Sequence, residues 1–144
     1  MQNHTHHTDH SLHVHGDAAD LFPTETEGLS ERVRPQIVEL ANGDELDLRV
    51  APVAARLGDA TVRMLAYNGS IPGPTLKVRE GSEVTVDVVN QSDLETTVHW
   101  HGLRLENRYD GTHETQAPIP VGGSFSYRIQ FPDPGVYWYH PHIR

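Results

Sequence analysis

The chain has 144 residues, one domain's worth, and its 20 acidic against 11 basic side chains give a formal net charge of −9. No cluster of Lys and Arg is available to grip a phosphate backbone, which argues against nucleic acid as a partner, and no apolar run approaches the ~20 residues of a membrane span. Cysteine is absent, which removes disulfides, thiolate nucleophiles and thiolate metal ligands together.

Residues 1–34 read as a disordered tail and an acidic linker. The opening stretch "MQNHTHHTDHSLHVHGD" lacks the apolar core of a signal peptide and holds six of the eleven histidines: His4, His6, His7, His10, His13 and His15. Such a tract can chelate Cu(II), Ni(II) or Zn(II), or simply be a solvated tail. The acidic linker that follows leaves room for one short helical turn after Ser30.

From Pro35 onward the pattern is of short strands. "QIVEL" and "LDLRV" flank "ANGDE", whose Asn42-Gly43 is a hairpin-turn signal. "TVRMLAYN" comes next. In "SIPGPTLKV", Pro72-Gly73 fits a tight turn with glycine at positive φ. "EVTVDVVN" alternates Val84, Val86 and Val88 with Thr85 and Asp87, the signature of a half-buried strand. "TTVHWHGL", "SFSYRIQF" and "VYWYH" complete the series, and no stretch keeps a helical period. Strands with turn signals every eight to twelve residues predict an all-β sandwich or barrel.

Two of these segments carry paired histidines. Residues i and i+2 of a strand share a face, so His99 and His101 project together with Trp100 opposite. His140 and His142 do the same across Pro141, whose missing N–H marks the strand's end. Two neighbouring strand ends therefore present four imidazoles to one space. Imidazole suits Cu, Zn, Fe and Ni, and an all-histidine set accommodates both Cu(I) and Cu(II). Of the aromatics nearby, Trp100, Trp138, Tyr137 and Tyr139 read as core and packing residues. His113 lacks a partner at ligand spacing and reads as a loop residue or a support for the ligands.

"HWHG" at His99–Gly102, "DGT" at Asp110–Thr112, "TQAPI" at Thr115–Ile119 and "FPDPGVYWYHPH" at Phe131–His142 together resemble the first cupredoxin domain of multicopper oxidases, the laccase-like enzymes. "YNGSIPGPTLKVREGSEVTVDVVN" is similar to the preceding strands of that family. The resemblance covers residues 35–144 and implies a cupredoxin-like Greek-key β-sandwich, incomplete at its C-terminal end, whose strand ends supply half of a trinuclear copper cluster. It implies that His99 binds the type 2 copper and that His101, His140 and His142 bind the two type 3 coppers. It further implies reduction of O2 to water there, fed from a type 1 copper, with the protein placed in the periplasm or secreted.

Asp110 matches an acidic position that the family keeps beside the cluster, where a carboxylate can relay protons to dioxygen. Asp110-Gly111 is equally a favoured turn pair. Glu106 is a weaker acidic candidate with an exposed reading.

The sequence contains neither the four further cluster histidines nor the cysteine of a type 1 site. The resemblance thus implies partners: further cupredoxin domains of the same protein or a neighbouring subunit, O2, and a small reducing substrate such as a phenol, an aromatic amine, Cu(I) or Mn(II). It also implies a domain short of its closing strand, with an unpaired edge; alone, it should not turn over. Two other readings compete. His99, His101 and Glu106 make an HxHxxxxE pattern reminiscent of the mononuclear cupin site, although Asp93 stands where a cupin's glycine is expected. A non-catalytic copper-binding module is the other.

Overall fold

The computed structural model describes residues 22–142, so the histidine-rich tract within 1–21 and the last two residues lie outside the described residues. Eight strands follow one another: β1 (Ile37–Leu40), β2 (Glu45–Leu57), β3 (Ala60–Tyr67), β4 (Thr75–Val78), β5 (Glu83–Asn90), β6 (Val98–His101), β7 (Ser124–Gln130) and β8 (Trp138–Pro141). Among the described residues one 3-10 turn, Asn107–Tyr109, interrupts them. The largest sheet has the order β3-β2-β5-β7, while β1 pairs with β4 in parallel and β6 pairs with β8 antiparallel.

The valine alternation of β5 explains the layering. Val84, Val86 and Val88 are fully buried while Thr85 and Asp87 are only half-buried. They meet Leu48 and Val50 of β2 and Tyr127 and Ile129 of β7 on one side of the core. Leu40, Val98 and Trp100 from the two small sheets close it. Each such valine contributes roughly 1.5–3 kcal/mol relative to exposure. The outcome is the all-β, cupredoxin-like sandwich expected.

Four local expectations are corrected. Asn42-Gly43 makes a turn (Asp44 N–H to the Ala41 carbonyl, 3.1 Å), yet the turn does not close a hairpin. It carries the chain between sheets, because β1 pairs with β4 and β2 with β5, both in parallel. The Asn42 side chain fixes this corner by accepting the Glu83 N–H at 2.9 Å. The second correction concerns Ser30, where no helical turn forms. Residues 30–33 are extended: Ala54 donates to the Ser30 carbonyl and Arg32 to the Ala54 carbonyl, both at 2.9 Å, so pairing begins before Pro35.

Third, Gly73 does not take a positive φ; Asn68 (φ 49) and Gly69 (φ 77) do. Gly73 is needed for space, since a Cβ there would lie 2.6 Å from the Tyr139 hydroxyl and 2.8 Å from the Tyr67 Cβ. Fourth, β2 continues through "APVAARL" to a two-residue hairpin at Gly58-Asp59, with Leu57 opposite Ala60. Pro52 is tolerated inside it because the β5 pairing ends at Val50 and the next bridge on that side is at Ala54.

Candidate metal centre

The β6–β8 ladder sets His99 opposite His140, Trp100 opposite Tyr139 and His101 opposite Trp138. Three features hold β6 in place. Its first residue, Val98, donates its N–H to the Tyr127 hydroxyl at 2.9 Å. Trp100 is 2% exposed and lies against Tyr127 and Tyr139, with ring centroids 5.7 and 5.4 Å away. Just before the strand, the buried Thr97 hydroxyl donates to the Gly111 carbonyl and sits 3.2 Å from the His142 carbonyl. The His142 N–H returns to the Thr97 carbonyl at 3.3 Å.

With the tryptophan side anchored inward, the imidazoles turn outward together. His99 has ring-centroid distances of 5.4 Å to His101, 5.3 Å to His140 and 6.1 Å to His142. His99, His101 and His140 each bring a ring nitrogen within 4.8 Å of the others. His142 stands somewhat apart, 6.4 Å from the His140 ring and 5.3 Å from that of His113. Glu106 is exposed and outside the three-imidazole group. His113 is outside it as well.

The remaining ring nitrogens decide which face each histidine offers. His99 Nδ1 lies 2.6 Å from the Asp110 carbonyl oxygen and His140 Nδ1 lies 2.9 Å from that of Pro141. Both therefore carry Nδ1–H and leave Nε2 free as a donor to metal. His101 is reversed: its Nδ1 faces His140 Nε2 at 3.4 Å. Two imidazole lone pairs directed at each other repel unless a cation or proton stands between or beside them. The residues present thus fit a soft-to-borderline metal such as copper, with neutral nitrogen donors and no thiolate.

Asp110 is placed by turn chemistry and also beside the site. Its N–H donates to the Asn107 carbonyl at 3.1 Å, and its carboxylate Oδ2 lies 3.6 Å from His99 Nδ1. The next residue, Gly111 (φ 78), packs so closely that a Cβ would collide with the Val98 carbonyl. Trp138 corrects the packing expectation. It is 59% exposed and stacks on His101 (4.8 Å, 26°) and His140 (4.3 Å, 34°) rather than entering the core. Tyr139 does pack, donating to the Pro74 carbonyl at 2.6 Å.

Sequence reasoning missed Thr97, Tyr127 and the carbonyls of Asp110 and Pro141. None of these has a spacing signal, because backbone acceptors and supports from a distant strand leave no motif.

Residues 49–144 match a family model described as multicopper oxidase. The chain belongs to the multicopper oxidase family. It is 41% identical over 116 residues to the multicopper oxidase MmcO of Mycobacterium tuberculosis, covering 79% of this chain and 22% of that protein. It is 35% identical over 106 residues to copper resistance protein A of Pseudomonas syringae pv. tomato, covering 73% and 17%. A solved multi-copper oxidase from Pseudomonas thermotolerans superimposes with a TM-score of 0.67 at 34% identity, covering 73% of this chain and 26% of that one. The chain spans only about a fifth of the length of these curated relatives. Copper is the metal that multicopper oxidase membership implies, and the family closes the cupin reading.

Proposed function

We propose that this chain is the copper-binding N-terminal cupredoxin domain of a multicopper oxidase, contributing half the ligands of a trinuclear cluster that reduces O2 to water. The observation that carries the proposal is the β6–β8 register, which sets His99 against His140 and gathers three imidazole donors within 4.8 Å. In this reading His99 serves the type 2 copper, and His101, His140 and His142 serve the type 3 pair. Copper, when bound, supplies the one-electron chemistry that none of these side chains has. The chain's own residues orient the donors: the Asp110 and Pro141 carbonyls fix two rings, and Trp100 and Thr97 fix the strands that bear them.

Asp110 is the proposed proton relay. Its carboxylate is about a third exposed (31%) and 3.6 Å from the His99 ring, so it reaches both solvent and the cluster's edge. Turning dioxygen into water consumes protons, and a carboxylate here can take one up from solvent and release it inward.

The remaining histidines and the cysteine-bound type 1 copper belong to another cupredoxin domain, in the same protein or in a neighbouring subunit. The half-open rim, with Val136 fully exposed and Trp138 59% exposed, supports such a neighbour. The electron donor is a phenol, an aromatic amine or a low-valent metal ion, and the protein works in the periplasm or outside the cell. Among the described residues no helix is long and apolar enough to cross a membrane.

The test is oxygen uptake by the protein that carries this domain, with a phenol, Cu(I) or Mn(II) as donor. The expected result is complete reduction to water without released peroxide, abolished by His101→Ala. Copper binding with no oxygen uptake for any donor would leave a binding module instead.

A further inference from the structure

On His142 and on the turn beside it, four buried polar atoms are without partners among the described residues: His142 Nδ1, both ring nitrogens of His113, and Gln116 Oε1. They are chemically complementary. His99 and His140 each hold a ring N–H on a backbone carbonyl, whereas His142 Nδ1 has no such acceptor. An imidazole that gives Nε2 to a metal keeps its proton on Nδ1 and must donate it. The His113 ring lies with its centroid 5.3 Å away at 69°, and a neutral imidazole has one nitrogen able to accept. Neutral His113 then has one N–H left to donate, and Gln116 Oε1 is an acceptor lacking a donor.

The backbone prepares this arrangement. Residues 112–116 form a turn, with the Thr115 and Gln116 N–H groups both donating to the Thr112 carbonyl at 3.1 and 3.2 Å. Positions 113 and 116 are three apart on that turn and line one open depression of about 470 Å³. The segment is fastened at both ends to the residues leading into β6. Thr97 binds the Gly111 carbonyl, and Thr96 and Ile119 exchange backbone hydrogen bonds at 3.1 and 2.7 Å. The turn therefore cannot move away from His142 without pulling on the strand that bears His99 and His101.

We propose that His113 is a positioning residue for His142, in a chain running from His142 Nδ1–H to His113 and from the other His113 nitrogen to Gln116 Oε1. The links pass through water, which the depression can supply. A buried polar atom without a partner is unfavourable, so the chain closes when His142 takes the Nδ1–H tautomer. His113 thereby selects the tautomer that leaves His142 Nε2 for copper. The inference rests on His142 being a copper ligand.

The experiment compares wild type with His113→Ala, His113→Gln and His142→Ala in the protein that carries this domain. Copper affinity is read by chelator competition, the apo-protein's melting temperature is followed, and ¹⁵N-histidine spectra report the His142 tautomer. Expected is a ~10–100-fold loss of copper affinity in His113→Ala, substantial recovery in His113→Gln, and an unchanged melting temperature. The His142 spectrum should move from Nδ1–H toward a mixture. An affinity within twofold of wild type in His113→Ala overturns the inference. So does an equal loss in both His113 variants that tracks a lower melting temperature, which is a purely structural role. If His142→Ala loses affinity and His113→Ala does not, only the positioning role falls. If His142→Ala binds copper like wild type, the ligand assignment falls, and the positioning role with it.

Discussion

The ring of His99 is held by the main chain of Asp110, not by its carboxylate: Nδ1 lies 2.6 Å from the carbonyl oxygen and 3.6 Å from Oδ2. The two roles proposed for this residue, support of the His99 ring and proton relay, are therefore separable by mutation. Asp110→Asn keeps the carbonyl and the turn but removes the acid. Copper content should stay at the wild-type level while oxygen uptake falls ~10²–10⁴-fold, the range for losing a proton-transfer group. Loss of copper in Asp110→Asn, measured by metal analysis, would show that the carboxylate acts on the ligand instead.

Gly111→Ala should be among the most damaging single changes outside the histidines. The added Cβ meets the Val98 carbonyl, and a φ of 78 is costly for any L side chain. Together these amount to roughly 3 kcal/mol or more. Urea unfolding is the check. A loss below about 1 kcal/mol would mean that the Asp110 loop can lift off β6 freely.

Tyr127→Phe tests the link between the large sheet and the site. The hydroxyl accepts the Val98 N–H in a fully buried setting, so its removal orphans that donor at a cost of about 1–3 kcal/mol. Because Val98 adjoins His99, copper affinity should fall along with stability. Unchanged unfolding and affinity would show that another acceptor reaches Val98.

Alkaline pH should unfold the domain from within. Burial pushes the Tyr127 hydroxyl up from its ordinary 10.0 to about 12. Burial raises Tyr139 as well, and raises Tyr67, followed by smaller contributions from Tyr139 and Tyr127. A raised value in the fold favours the neutral form. The stabilisation is complete below pH 10 and is lost as pH rises toward and through 12. Phenolate absorbance and circular dichroism, recorded together, should change in step over that window. Full ionisation of these tyrosines with the dichroism intact would contradict their burial.

How much of this was legible in the sequence follows from what each residue reports. The alternation in "EVTVDVVN" and the i, i+2 histidines encode a face, so β5 and the outward turn of His99 and His101 could be read directly. Asn42-Gly43 encodes a turn but not which strands it joins; the β1–β4 and β2–β5 pairings depend on residues nearly forty positions away. Trp138 looked like core because it is large and apolar. Its register opposite His101, on the histidine side of the ladder, puts it outside. The partners of the imidazoles were invisible for a different reason: two are backbone carbonyls, which every residue has.

The proposed cluster requires all four paired histidines to act on the same copper centre. The direct measurement is copper per protein in the protein that carries this domain, for wild type and for His99→Ala, His101→Ala, His140→Ala and His142→Ala. The prediction is that every variant loses copper while its apo form melts as wild type does, with His101→Ala and His140→Ala, whose nitrogens face each other at 3.4 Å, losing the same metal. Wild-type copper content in all four variants would contradict it.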